Sequence, residues 1–298
     1  MCGIAGLHLR DESLAPQLGS LLASMLGQAA ERGTDAAGVG LYGDPRLTPS
    51  GRSTVCVIEV DRPVDAVVAA LDAAGAGPVR AREAGATLVL DAPVAPDLLE
   101  AAVRSVLPGA VVTSRGNSLA VLKGTGHPDA LAAQFDLTNA TGYQGVAHTR
   151  MATESAVTST GSHPYSVGPD QCLVHNGSFA NHATIRRELQ AEGITFDSEN
   201  DTEVGARFVA HQLAQGADVE KALRLLCDRF DGFYTLLVAT ENSFAVVRDA
   251  IACKPAVIAE TDRWVAMASE YRYLTGLPGV ESARIFEPEP EVVYAWER

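Results

Sequence analysis

The second residue of this chain is a cysteine, in Met1-Cys2-Gly3-Ile4. An initiator methionine is removed when the next residue is small, and cysteine qualifies. Processing is therefore expected to leave Cys2 first, with a thiol and a free α-amine on one residue. A free α-amine has a pKa of about 8 and a free thiol about 8.5. Such an amine can take a thiol proton, directly or through water, close to neutral pH. One residue then supplies both nucleophile and base, as acyl transfer requires. Acyl transfer also needs donors aimed at an oxyanion. His175-Asn176-Gly177 offers a side-chain NH₂ beside a glycine N–H, where the backbone can be approached closely. Asn-Gly is equally a strong hairpin-turn signal. Arg150 ends an apolar run, and its fork suits a carboxylate; it reads equally as a surface arginine. Asp201, in Asn200-Asp201-Thr202-Glu203, suits an ammonium or caps a helix. One at a time, turn, surface and cap are the simpler readings.

The elements that must position these residues show in the apolar pattern. Residues 2–8 read as a buried strand with two glycines. Leu14, Leu18, Leu21, Leu22, Met25 and Leu26 predict a helix over 14–31, stopped by Gly33. A strand is expected at 36–43. Strands at 54–60, 86–92 and 110–124, with helices at 63–74 and 95–107, give residues 44–140 a β-α-β-α-β order. That segment reads as a small inserted α+β subdomain in a domain running over 2–298. Strands follow at 145–152 and 171–177, then helices at 181–192, from Asp201, and at 218–227. Four further strands are expected at 232–240, 243–249, 255–260 and 264–269. The whole reads as a layered protein with largely antiparallel sheets.

Composition narrows the chemistry. Acidic residues outnumber basic ones 37 to 23, a formal charge of −14, which argues against nucleic acid or an anionic membrane as partner. No run approaches the ~20 apolar residues of a membrane span, and no secretory leader is visible. A cytoplasmic location is expected. The five cysteines, at 2, 56, 172, 227 and 253, are scattered without metal-ligand spacing. No metal site or disulfide is expected, and the four cysteines after Cys2 read as small buried hydrophobes.

The motifs gain meaning from their order. Cys2-Gly3-Ile4, Arg32-Gly33-Thr34-Asp35, His148-Thr149-Arg150, His175-Asn176-Gly177, Asp201-Thr202-Glu203, Arg248-Asp249, Lys254-Pro255 and Ala268-Ser269-Glu270 together resemble the class II glutamine amidotransferases. The resemblance implies an α+β fold, the four-layer α/β/β/α N-terminal nucleophile hydrolase sandwich of two antiparallel sheets. It also implies hydrolysis of L-glutamine to glutamate and ammonia through a thioester. By motif, Cys2 resembles the nucleophile, with Asn176 and Gly177 the oxyanion donors. Arg150 resembles the arginine for the substrate carboxylate and Asp201 the aspartate for its ammonium. Thr153 resembles a further substrate contact. Arg32 and His175 resemble supporting residues, and His163-Pro164 a turn near the site. The chain departs from the commonest pattern at Ala36, where serine is usual, and at Thr149–Ser155, which lack the usual Trp and His. These details resemble the stand-alone glutaminase subunit of glutamate synthase-like enzymes, including N-methylglutamate synthase. That resemblance implies no cofactor in this chain, flavin and iron–sulfur on a partner synthase subunit, channelled ammonia and a hetero-oligomer. A glutaminase subunit for another ammonia acceptor, and a glutamine-binding regulatory subunit, remain alternatives.

Overall fold

The computed structural model describes residues 2–151 and 157–298. Strand β1 (Gly3–Leu9) is buried along its length, which explains its apolar composition. Ile4 points into a core shared with Val146, Val174, Leu237 and Phe244. Ala5, Leu7 and Leu9 point the other way, into the core that contains Leu18, Leu22, Met25 and Leu26 of helix α1 (Leu18–Ala29). The expected helix over 14–31 is divided: Glu12–Gln17 and Ala30–Arg32 are 3₁₀ turns flanking α1. Pro16 lies in the first of them, without an N–H to donate.

β1 sits inside a seven-stranded antiparallel sheet. Its order is β14 (Arg284–Phe286), β12 (Val257–Glu260), β13 (Trp264–Ala268), β1, β8 (Gln144–Arg150), β2 (Ala36–Tyr42), β7 (Leu119–Thr125). A second antiparallel sheet runs β15 (Tyr294–Glu297), β11 (Ser243–Arg248), β10 (Gly232–Thr240), β9 (Gln171–Phe179). Helices α5 (His182–Ala191), α6 (Asp201–Ala214) and α7 (Val219–Arg229) cover its outer face through Ile185, Leu189, Val204, Leu223 and Leu226. Helix α4 (Pro128–Gln134) joins α1 on the far side of the larger sheet. The layers are thus α/β/β/α. The sheets approach closely where side chains are absent: a Cβ on Gly6 would lie 2.5 Å from Leu237 Cδ2.

A third sheet, β4 (Arg80–Ala84), β5 (Thr87–Ala92), β3 (Ser53–Ile58), β6 (Val111–Gly116), carries α2 (Val64–Ala73) and α3 (Pro96–Val106) on one face. Val55, Val57, Leu71, Leu90, Leu99 and Val103 form its own core. The span 44–140 expected for an insertion runs past this unit. β7 pairs with β2 from Ala36↔Thr125 to Tyr42↔Leu119, and Leu131 of α4 packs into the α1 core. From Leu119 to Leu122 both faces of β7 are apolar because both are covered, by the second sheet and by the helices. The separate sheet therefore occupies Ser53–Gly116. Strands β4, β14 and β15 and helix α4 were not legible in the sequence, being short or, in β4, mostly polar. Among the described residues no helix is long and apolar enough to cross a membrane.

Gly38 of β2 lets another segment lie on the sheet. A Cβ there would stand 2.1 Å from the backbone oxygen of His163. Gly38→Ala should cost about 1–3 kcal/mol as the segment is pushed away. Urea unfolding checks this, and an unchanged midpoint would show that the segment does not rest on Gly38.

Candidate active site

The register of the large sheet sets the first half of the site. Gly3 pairs with Thr149, so one residue further out Cys2 and Arg150 stand at neighbouring strand ends. Arg150 pairs in turn with Ala36 of β2. The residues after Cys2 are held by hydroxyls. Gly3 N–H donates to Thr149 Oγ1 at 3.2 Å, and that hydroxyl donates to Ala29 O at 3.0 Å. Ile4 N–H donates to Ser269 Oγ at 2.9 Å, while Ser269 N–H returns a bond to Ile4 O at 2.9 Å.

The carbonyl oxygen of Cys2 joins the two sheets. It accepts from Arg32 Nε at 3.0 Å and from Asn176 Nδ2 at 3.3 Å. An asparagine NH₂ has two hydrogens, so one is spent here and a second can serve a ligand. Gly177 follows with φ +143°, and a Cβ on it would stand 1.9 Å from Phe233 O, so the position excludes side chains. Arg32 is itself braced: its Nη1 lies 2.7 Å from Glu270 Oε1. The second Glu270 oxygen lies 2.8 Å from Arg272 Nε, and Arg272 pairs with Glu31. Asn176 and Gly177 lie within β9, paired with Thr235 and Tyr234 of β10, so the hairpin-turn reading of Asn-Gly does not hold.

Asp201 opens α6 without capping it. Asn200 Oδ1 accepts Thr202 N–H at 2.8 Å and is the cap. Asp201 Oδ2 instead accepts Phe179 N–H of β9 at 2.9 Å, tying the helix start to the Asn176 strand. Beneath lies a stack of rings. His148 and His163 stand 4.2 Å apart between centroids, His163 and His175 6.2 Å, and His175 and Phe179 4.4 Å. His163 Nδ1 accepts His175 N–H at 3.1 Å, and Thr202 Oγ1 lies 2.9 Å from His175 Nδ1. Burial, with the nearby charges of His175, Arg150 and Lys123, pushes His148 down to about 3. Burial likewise pulls His163 and His175 below the ordinary imidazole value. It pulls Lys123, whose Nζ sits 4.5 Å from the Tyr165 ring centroid, down to about 7. His163 and His175 orient their neighbours through hydrogen bonds rather than charge, while His148 contributes its ring to the stack.

Cys2, Asn176 and Arg32 are thus joined by direct bonds. Arg150 stands beside Cys2 by register, and Asp201 and His175 attach through Phe179 and Thr202. Gly161 makes room for Arg150, since a Cβ there would lie 2.3 Å from its Nη1. Thr153 lies outside the described residues. Sequence reasoning placed no role on Thr149, Thr202, His148 or Glu270, and gave His163 only a turn. Thr202 and Glu270 sat inside quoted motifs; nothing in their types separated them from helix-turn and surface residues. The other cysteines divide. Cys56 and Cys172 are buried, with thiols pushed up to about 11 and about 12 by desolvation. Cys227 is half-buried and Cys253 exposed, so the expectation of four buried cysteines fails at those two. Among the described residues no His/Cys/Asp/Glu group is arranged to hold a metal ion.

Comparison with known proteins follows the same lines. A model of the glutamine amidotransferase domain matches residues 148–276. The chain is 46% identical, over all of its own length and 98% of the other's, to the glutamine amidotransferase-like protein GlxB of Rhizobium meliloti (strain 1021). It is 35% identical over 44% of its length to the glutamine–fructose-6-phosphate aminotransferase (isomerizing) of Idiomarina loihiensis, of which it spans 21%. Among solved structures, glutamine phosphoribosylpyrophosphate amidotransferase of B. subtilis superposes with a TM-score of 0.61 at 17% identity. That match covers 99% of this chain and 49% of the other, so the chain spans about half of that structure's length.

The histidine stack sets a pH dependence. The folded values lie below the unfolded value of about 6.5, so the stack's contribution is complete above that pH. As pH falls below it, the unfolded chain binds protons that the folded chain does not, and stability drops. Each such histidine contributes a slope of up to ~1.4 kcal/mol per pH unit. Urea unfolding between pH 7.5 and 5 should show this loss, and His148→Leu should remove about one proton from the slope. An unchanged slope in that variant would mean that His148 is charged in the fold.

Proposed function

The chain belongs to the class II glutamine amidotransferases, and we propose that it hydrolyses L-glutamine at Cys2 as the glutaminase component of a larger enzyme. The observation that carries this reading is the shared Cys2 carbonyl, which seats Asn176 beside the residue bearing the nucleophile. With Met1 removed, the α-amine takes the thiol proton and the sulfur attacks the side-chain amide carbon of glutamine. The second Asn176 N–H and the Gly177 N–H meet the oxyanion. Collapse returns the proton to the leaving nitrogen, releasing ammonia and leaving a γ-glutamyl thioester. Water, deprotonated by the same amine, attacks that thioester through a second oxyanion. Glutamate leaves and the thiol is restored. Arg150 takes the substrate α-carboxylate bidentately and Asp201 its α-ammonium, so the one reactive amide is fixed in place. Thr153 adds a substrate contact. Arg32 and His175 hold the nucleophile and the oxyanion strand from behind.

The acceptor is proposed to be a cytoplasmic synthase of glutamate synthase-like type, N-methylglutamate synthase included. This chain then needs no cofactor of its own, and flavin and iron–sulfur belong to the partner. Ammonia is mostly protonated and diluted in water, which supports a docked hetero-oligomer that channels it. The inserted unit, expected over 44–140, is the proposed docking element, a reading supported by its separate sheet and its own apolar core. Co-purification of a flavin-containing subunit checks the partner, and a fully active lone chain counts against it.

Processed protein should release ammonia from L-glutamine, alone or with its co-purified partner, and Cys2→Ala should release none. Asn176→Ala should lower kcat by about 10²–10³, the usual loss for one oxyanion donor. Arg150→Lys should raise KM more than it lowers kcat. Mass spectrometry of the N-terminus accompanies the assay, since retained Met1 predicts inactivity. No ammonia from correctly processed wild type would overturn the reading.

A further inference from the structure

Thr202 Oγ1 is where three parts of the site meet. His163 Nε2, from the segment lying on Gly38, is 3.2 Å away. His175 Nδ1, from the residue before Asn176, is 2.9 Å away. Asp201 Oδ1, on the neighbouring residue, is 3.4 Å away. A hydroxyl has one hydrogen and two lone pairs, so the direction of each bond can be worked out. His163 Nδ1 already accepts the His175 backbone N–H, so the neutral ring carries its proton on Nε2. That proton is donated to Thr202. The Thr202 hydrogen then has two acceptors in reach, His175 Nδ1 and Asp201 Oδ1. An ionised carboxylate is the stronger acceptor. With His175 protonated on Nδ1, Thr202 accepts from both imidazoles and donates to Asp201, and all three of its bonding positions are used. Phe179 N–H holds the other Asp201 oxygen. Two of the carboxylate's roughly four lone-pair sites are then spent on positioning, and the rest are available to a cation.

We propose that Thr202 is a positioning residue that aims the Asp201 carboxylate at the substrate α-ammonium and locks that aim to the Asn176 strand. The proposal rests on Asp201 as the ammonium partner. It makes Thr202 a determinant of specificity for an amino acid over a plain amide acid. Its hydroxyl touches neither sulfur nor oxyanion in this account, so its loss should fall on recognition of the ammonium.

The test compares L-glutamine with 4-carbamoylbutanoate, which is glutamine without its α-ammonium, on processed wild type, Thr202→Val, Thr202→Ser and Asp201→Asn. Thr202→Val should lose about 10- to 100-fold in kcat/KM on glutamine, the value of a hydrogen bond to a charged group. The loss on the analogue should be far smaller, so the ratio of the two falls. Thr202→Ser, which keeps the hydroxyl, should restore the ratio. Asp201→Asn should lower the ratio at least as far. Equal losses of Thr202→Val on both substrates would overturn the proposal, because a purely structural role predicts that. If Asp201→Asn leaves the ratio unchanged, the ammonium reading of Asp201 fails and takes the proposal with it. Should the valine chain not fold, Thr202→Ala gives the same comparison with less crowding.

Discussion

The carbonyl oxygen of Cys2 carries a constraint on which much of the site depends. A residue at a chain terminus has one covalent neighbour and would ordinarily fray. Here its carbonyl is gripped by Arg32 from the large sheet's helix side and by Asn176 from the second sheet. The grip holds the thiol-bearing residue, and it registers the two sheets against each other at that end. A charge-assisted bond from a guanidinium is stronger than a neutral one. Arg32 in turn is held by Glu270, which Arg272 also reaches, so the cation is both placed and balanced.

Around that clamp the fold trades side chains for proximity. Gly6 brings the sheets together, Gly38 admits the His163 segment, and Gly177 lets β10 lie close against β9. These approaches bury imidazoles and a lysine that would be solvated in a looser structure. Taking a charge out of water is costly, so the histidines stay neutral, and His163 and His175 act as directed donors and acceptors. Backbone N–H groups of His175 and Phe179 fix His163 and Asp201, and only the two imidazole bonds to Thr202 take their direction from the tautomers.

The third sheet has a different relation to the site. It has its own apolar core, yet Cys56, Ala84 and Val89 belong to the core beneath α1. Asp170, next to β9, accepts from the backbone N–H groups of Asn117 and Ser118 in the β6–β7 connection and of Leu119 at the start of β7. The unit is thus anchored to both sheets of the sandwich at the point where its chain leaves it.

The amino-acid sequence by itself determined most strands and helices, because apolar periodicity reports which faces are covered. It also determined the identities of Cys2, Arg150, Asn176, Gly177 and Asp201 as candidates, because their chemistry and order are local facts. It did not separate the interior of a strand from a hairpin turn at Asn176-Gly177, or a tie to β9 from a helix cap at Asp201. Those choices depend on partners far along the chain: Cys2 O is 174 residues from Asn176, and Phe179 N–H is 22 residues from Asp201. The short edge strands, the true limits of the third sheet and the contacts of Thr202, His163 and Glu270 belong to the same class. Each depends on which distant backbone or side chain arrives beside it. Spacing along one strand or helix cannot encode that, and only the packing of the two sheets decides it.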